Sequence, residues 1–359
     1  MTIQQRKKSL IFLGKFLSQF KPEGIFPKEN IPFNDLFLEV ISALIGRAYE
    51  TNPWFTRANV LYALSSWADA LQTEKIEQWL DNYTLSDNPS GKNVGVIMAG
   101  NIPLVGMHDF ISVLASGHRI KAKLSSNDKL LLPLLAKYLM YIEPAYKDKI
   151  VFVDEQLKDI NAVIATGSDN TARYFDYYFG KYPHIIRKNK NSVAVLTGNE
   201  TNEEREGLAD DIMLYFGLGC RNVSKIFVPD NYDFNLIFKA LLKYKDLINY
   251  QKYAHNYDYN KAVYLMSVDS DIRNSLLDNG LVLLKKDIHY ASPIGTVFYE
   301  TYNHIEEVDK ILKKDADKIQ TVVSNAPEIH NKIPFGTTQH PELWDYADGV
   351  DTMKFLSGL

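Results

Sequence analysis

The sequence is poor in the residues that announce a chemistry. Cys220 is its lone cysteine, so no internal disulfide can form, and neither a CxxC nor an HExxH pattern offers a zinc site. No GxGxxG turn follows an apolar run, so any dinucleotide must be held in another way. The net charge of -4 gives no basic field for a nucleic-acid backbone, and no nucleic acid partner is expected. No stretch reaches the roughly 20 apolar residues of a membrane span. Arg6-Lys7-Lys8 before Ser9-Leu10-Ile11-Phe12-Leu13 has the outline of a secretion signal, but Lys15 breaks the run and no small-residue cleavage site follows. A reducing cytoplasm is the expected setting.

What is present reads as an ordinary globular chain, 46% hydrophobic and 23% charged, long enough for two or more lobes. Residues 1–87 carry apolar stripes at helical spacing, Phe37, Val40, Ile41 and Leu44 in one run, Val60, Leu61, Leu64, Trp67 and Leu71 in the next. The turn-rich Leu85-Ser86-Asp87-Asn88-Pro89-Ser90-Gly91 reads as a linker. Beyond it strand and helix alternate: strands over 93–99, 120–124, 150–153 and 162–165, helices over 105–116 and 129–140. That alternation predicts a parallel sheet with nucleotide-binding potential at its carboxyl edge.

Three loops after those strands attract attention. Asn101, in Gly100-Asn101-Ile102-Pro103-Leu104, ends a buried strand where its amide can donate to an oxyanion. Lys121-Ala122-Lys123-Leu124-Ser125-Ser126 places lysines and serines where ribose or phosphate would lie. Ala165-Thr166-Gly167-Ser168-Asp169-Asn170 opens a helix toward a pyrophosphate. Each alone is an ordinary turn. Further on, residues 203–216 predict an amphipathic helix with acids in its first turn, ended by Gly217, and 224–229 a strand. Between them lies Gly217-Leu218-Gly219-Cys220-Arg221-Asn222. A lone cysteine is commonly a small core residue, but two glycines and a following arginine suit a reactive thiolate beside backbone N–H donors. The nearest approach to a dinucleotide fingerprint, Gly217-x-Gly219-x-x-Asn222, fails at its third glycine.

The succession of Asn-x-Pro-Leu, a lysine-serine strand end, Thr-Gly-Ser opening a helix and Gly-x-Gly-Cys before a strand resembles the aldehyde dehydrogenase superfamily. Gly100 to Phe110, Gly217 to Val228 and Pro341 to Leu356 are similar to its acyl-CoA reductase branch, typified by the LuxC-type fatty acid reductase of bacterial luminescence, over about residues 40 to 359. The resemblance implies an aldehyde dehydrogenase-like α/β fold; with the helical stripes and the linker, the expected organisation is a helical segment over 1–87, a cofactor-binding parallel-sheet lobe over 88–190, a catalytic α/β lobe over 191–291, and a segment over 292–359 completing the cleft. It implies Cys220 as the acyl-accepting nucleophile and Asn101, with the Cys220 N–H, as the oxyanion holder. Lys123, Gly167, Ser168 and Gly295 become cofactor contacts, and Ser125 joins Lys121 and Ser126 as a contact for a 2′-phosphate. The implied cofactor is NADPH, with NADH as the alternative, and no metal is required.

Two departures from the superfamily follow. The general-base glutamate of its oxidising members is replaced by Ile186-Arg187-Lys188-Asn189, which suits a reductase that must keep water from its acyl-enzyme. The glutamate that grips the nicotinamide ribose is missing from Ser292-Pro293-Ile294-Gly295-Thr296, where only the glycine survives. The expected substrate is a long-chain acyl-CoA or an acyl-protein thioester, with an acyl-transferring partner protein or a homo-oligomer as associated expectations. Alternatives are a short-chain CoA-acylating enzyme and an inactive scaffold with this fold. His108 and His118 are expected to be structural, Arg187 and Lys188 solvated, and the aromatic run 174–179 one face of a packed helix.

Overall fold

A computed structural model of the chain describes residues 1–87, 89, 91–167, 169–267 and 275–359. They form two compact units, Met1–Asn189 with Pro341–Leu359, and Lys190–His340.

The first unit opens with α1 (Ile3–Leu17), started by a capping box in which Thr2 and Gln5 satisfy each other's backbone N–H groups. A small hairpin, β1 (Phe20–Lys21) and β2 (Gly24–Ile25), leads to α2 (Asn34–Thr51), α3 (Arg57–Ala70) and α4 (Thr73–Leu80). The alternating part runs β3 (Asn93–Ile97), α5 (Met107–Ser116), β4 (Arg119–Lys123), α6 (Leu131–Ile142), β5 (Ile150–Phe152), β6 (Ala162–Thr166), α7 (Asp169–Phe179) and β7 (His184–Arg187). All five strands are parallel, in the order β5-β4-β3-β6-β7. Two strands are added outward on one side of β3 and two on the other, so the sheet has a switch point between β3 and β6.

The expected division at 87 is corrected by the core. Leu10, Leu13 and Phe16 of α1 pack in one apolar cluster with Phe110 of α5 and Tyr138 of α6, and Phe16 stacks on Tyr138 with ring centroids 4.3 Å apart. The N-terminal helices therefore bury their stripes against the helices covering the sheet, and need no core of their own. On the opposite face Phe175 and Phe179 of α7, one turn apart, pack over Ile160, Val163 and Ala165, while Tyr174, Tyr177 and Tyr178 are exposed.

The second unit runs β8 (Asn191–Val195), α8 (Asn202–Met213), β9 (Val223–Pro229), α9 (Asn235–Leu241), α10 (Gln251–Leu265), β10 (Leu277–Asp278), β11 (Leu283–Lys286), β12 (Thr296–Tyr302), α11 (Ile305–Lys314), β13 (Ile319–Val323) and β14 (Lys332–Ile333). The sheet order is β10-β11-β12-β9-β8-β13-β14, parallel except for β10. The expected boundary at 291 moves for this reason. Strand β12 inserts between β11 and β9, pairing Tyr299 with Ile226, so residues after 291 are integral to this sheet. Only the last stretch, ending in α12 (Thr352–Ser357), belongs to the first unit.

Candidate functional site

Helix α8 begins with a second capping box, Thr201 with Glu204, and ends at Met213 instead of continuing to Gly217. Leu214 leaves helical dihedrals, and Tyr215 and Phe216 take φ of 52° and 59°, a left-handed conformation that bulky side chains rarely adopt. Phe216 stacks on Tyr250 with centroids 5.1 Å apart, which anchors the kink. Gly217 continues it at φ 75°, whereas Gly219 does not need positive φ. Cys220 follows, exposed, at the amino end of β9. Its carbonyl accepts the Ser192 hydroxyl at 3.0 Å.

Of the backbone N–H groups in this turn, that of Gly219 is engaged within the loop. Its N–H donates to Asn222 Oδ1 at 2.8 Å. Asn222 is buried, and its Nδ2 donates to the carbonyls of Asp211 at 3.0 Å and Leu214 at 2.9 Å. The asparagine that spoils the GxGxxG pattern is thus the loop's internal clamp. Asp211 is buried too. Its carboxylate accepts the N–H groups of Gly336 at 2.7 Å and Thr338 at 3.1 Å, while burial pushes its pKa up to about 6. Helix α8 approaches that loop backbone to backbone, since a Cβ on Gly207 would lie 2.9 Å from the Gly336 nitrogen.

Gly295 belongs to the same unit. Its φ of 75° and its contact with α10, where a Cβ would lie 3.2 Å from Tyr257 Cα, demand glycine on structural grounds. It lines a cleft with Phe216, Gly217, Tyr253, Pro293 and Val297, so the Gly295 turn and the kink that follows α8 share one wall.

In the first unit Asn101 is exposed in the loop after β3. Two contacts fix that loop. Gly100 sits where a Cβ would lie 2.5 Å from Ser125 Oγ, and Leu104, at φ 58°, donates its N–H to Asp128 Oδ2 at 2.8 Å. Asp128 is buried, which raises its pKa to about 6. Lys123, half-buried at the end of β4, accepts the Met98 N–H on its carbonyl at 3.0 Å. The loops carrying Asn101, Lys123 and Ser125 are therefore gathered at one carboxyl edge. Lys121 is not gathered there: its ammonium donates to the Lys158 carbonyl at 2.7 Å and lies 3.9 Å from Asp159.

Gly167 follows β6 directly across the switch point. Its N–H donates to the Arg187 carbonyl at 3.3 Å, and a Cβ there would lie 2.9 Å from the Phe175 ring. Ser168 lies outside the described residues. Strand ends diverging at a switch point, with glycines where side chains would collide, fit a dinucleotide laid across the edge.

Arg187, expected in solvent, is instead buried, ion-paired with Asp109 and donating to Thr352 Oγ1 at 2.9 Å. His108 and His118 bond the carbonyls of Leu343 and Leu356, each at 2.9 Å, and burial lowers the His118 pKa. Among the described residues no cluster of His, Cys, Asp and Glu suits a metal ion. No helix there is long and apolar enough to cross a membrane.

No family model matches this sequence, and no curated protein matches it either. Solved structures do match. Aldehyde dehydrogenase 21 from Physcomitrella patens, in complex with the reaction product succinate, aligns over 100% of this chain and 84% of its own, with a TM-score of 0.66 and 12% identity. The NAD+ complex of an aldehyde dehydrogenase from Bacillus cereus aligns over 90% and 72%, with a TM-score of 0.58 and 15% identity. The aldehyde dehydrogenase KauB from Pseudomonas aeruginosa aligns over 92% and 74%, with a TM-score of 0.59 and 14% identity. The fold is aldehyde dehydrogenase-like, as the resemblance implied.

Proposed function

We propose that the protein is a nicotinamide-dependent acyl thioester reductase that forms an aldehyde through an acyl-enzyme on Cys220. The observation carrying this reading is the exposed lone cysteine on a clamped loop at the amino end of β9, within an aldehyde dehydrogenase-like fold. The substrate is a long-chain acyl-CoA or acyl-protein thioester, and the cofactor NADPH, with NADH as its alternative.

The Cys220 thiolate attacks the thioester carbonyl, the carrier thiol leaves, and the acyl group remains as an enzyme thioester. Asn101 and the Cys220 N–H are the donors assigned to the carbonyl oxygen as it gains negative charge. A reduced nicotinamide, when bound, would supply the hydride. Lys123, Ser125, Gly167 and Ser168 are the residues assigned to hold its dinucleotide, with Gly295 near the nicotinamide end. Collapse of the thiohemiacetal breaks the carbon–sulfur bond, returns the thiolate and frees the aldehyde.

The stretch 186–189 supports reduction over oxidation. It offers no carboxylate to activate water, and Arg187 in it is consumed by Asp109 and Thr352. The deciding assay follows loss of reduced-nicotinamide absorbance with a chain-length series of acyl-CoA thioesters. Wild-type protein is expected to consume NADPH and Cys220→Ala to consume none while keeping its fold. Equal rates in the two proteins would remove Cys220 from the mechanism. An absence of NADPH binding would point to a scaffold.

A further inference from the structure

We propose that Asn222 is a positioning residue for Cys220, its side-chain amide accepting the Gly219 N–H at one end and tied to the carboxyl end of α8 at the other. The inference rests on the reading of Cys220 as nucleophile but is tested separately from it.

Asn222 is 2% exposed and makes bonds of two opposite kinds. Its Oδ1 accepts from Gly219 N–H at 2.8 Å, on the amino side of Cys220, and its own N–H donates to the Gly219 carbonyl at 3.0 Å. The residues flanking the cysteine are thereby closed into a turn. Its Nδ2 donates at 3.0 Å to Asp211 and at 2.9 Å to Leu214, carbonyls left without helical partners where α8 ends. The turn is therefore bolted to the end of a helix, and that helix is itself fixed by the Asp211 carboxylate to Gly336 and Thr338.

The chemistry narrows the residue type. A carboxylate would keep the Gly219 bond but set a negative charge against two carbonyl oxygens. An aliphatic side chain would leave the Gly219 donor and the Leu214 acceptor unpaired. The left-handed Tyr215 and Phe216 between helix and turn need this over-determination, because neither residue favours that conformation in isolation. Once the clamp is lost, the chain between Leu214 and Cys220 is expected to relax, moving the sulfur and the Cys220 N–H together.

Alkylation of Cys220 by iodoacetamide, measured over a pH series in wild type, Asn222→Ala and Asn222→Asp, reads the sulfur's environment without any thioester or cofactor. Asn222→Ala is expected to shift the alkylation profile, to lower kcat for thioester reduction about 10²-fold and to leave the KM for NADPH unchanged. Asn222→Asp should recover part of both losses through its bond to Gly219. A purely structural role would lower Tm in Asn222→Ala and leave the alkylation profile at wild type, overturning the proposal. If that variant does not fold, hydrogen exchange in the wild type decides. The Gly219 amide is expected to be as protected as the last turn of α8, and exchange at a free-peptide rate overturns the inference. Should wild type reduce no thioester, the functional reading fails while the alkylation series still decides whether Asn222 positions the sulfur.

Discussion

A carboxyl group taken out of water prefers its proton, and each of the two units has a loop held by such a group. Asp128 fixes the Asn101 loop through Leu104, and Asp211 fixes α8 to the 336–338 loop; each has its pKa raised from the ordinary 3.8 to about 6. The stability conferred by a raised carboxyl pKa is fully present below the unfolded value and is lost as pH rises through the folded value. Stability is therefore expected to fall between about pH 4 and pH 6 by on the order of 2–3 kcal/mol per group, then to level off. Asp128→Asn keeps an acceptor for the Leu104 N–H and cannot ionise. Denaturant unfolding at a series of pH values should show a shallower decline for it than for wild type. An identical decline would mean that Asp128 ionises without penalty.

At the scale of elements, the buried pair of Arg187 and Asp109 joins β7 to α5, and Thr352 brings in α12. Arg187→Ala would strand a buried carboxylate and is expected to cost about 3–5 kcal/mol in urea unfolding, whereas replacing both partners with leucine should restore most of it. If the double variant is no more stable than the single one, the pair does not hold these elements together. Strands β3, β4 and β6, and helices α5 and α6, were legible in the sequence to within about two residues, because apolar runs and helical stripes are local signals. The Arg187 pair was not, since its partners lie 78 and 165 residues away. Nor was the end of α8. Helical spacing continues through Tyr215 and Phe216, whereas the carbonyls at the true end are met by the side chain of Asn222, a contact invisible to periodicity. The positions of Asn101 and Cys220 at the ends of their strands could be read from their neighbours. The clamps that hold them, Asp128 and Asn222, could not.

The whole chain is organised so that the first unit is discontinuous. Residues 341–359 return to it, where Tyr346 accepts from Trp79 at 2.8 Å, Tyr83 donates to Asp351 at 3.0 Å, and Leu343, Met353 and Leu356 enter the core. Ending the chain after His340 is expected to strip amide protection from α3, α4 and α5 while leaving it on β8, β9 and β12, as hydrogen exchange would show. Protection lost equally from both groups would mean that the units unfold as one. The same arrangement has a consequence for how the protein is made. On a ribosome, residues 1–189 emerge first yet lack the piece that closes their apolar seam, while 190–340 carry their complete sheet. The unit that starts second in the chain is the one able to finish first, and the amino-terminal half must wait, partly open, until residues 341–359 are translated.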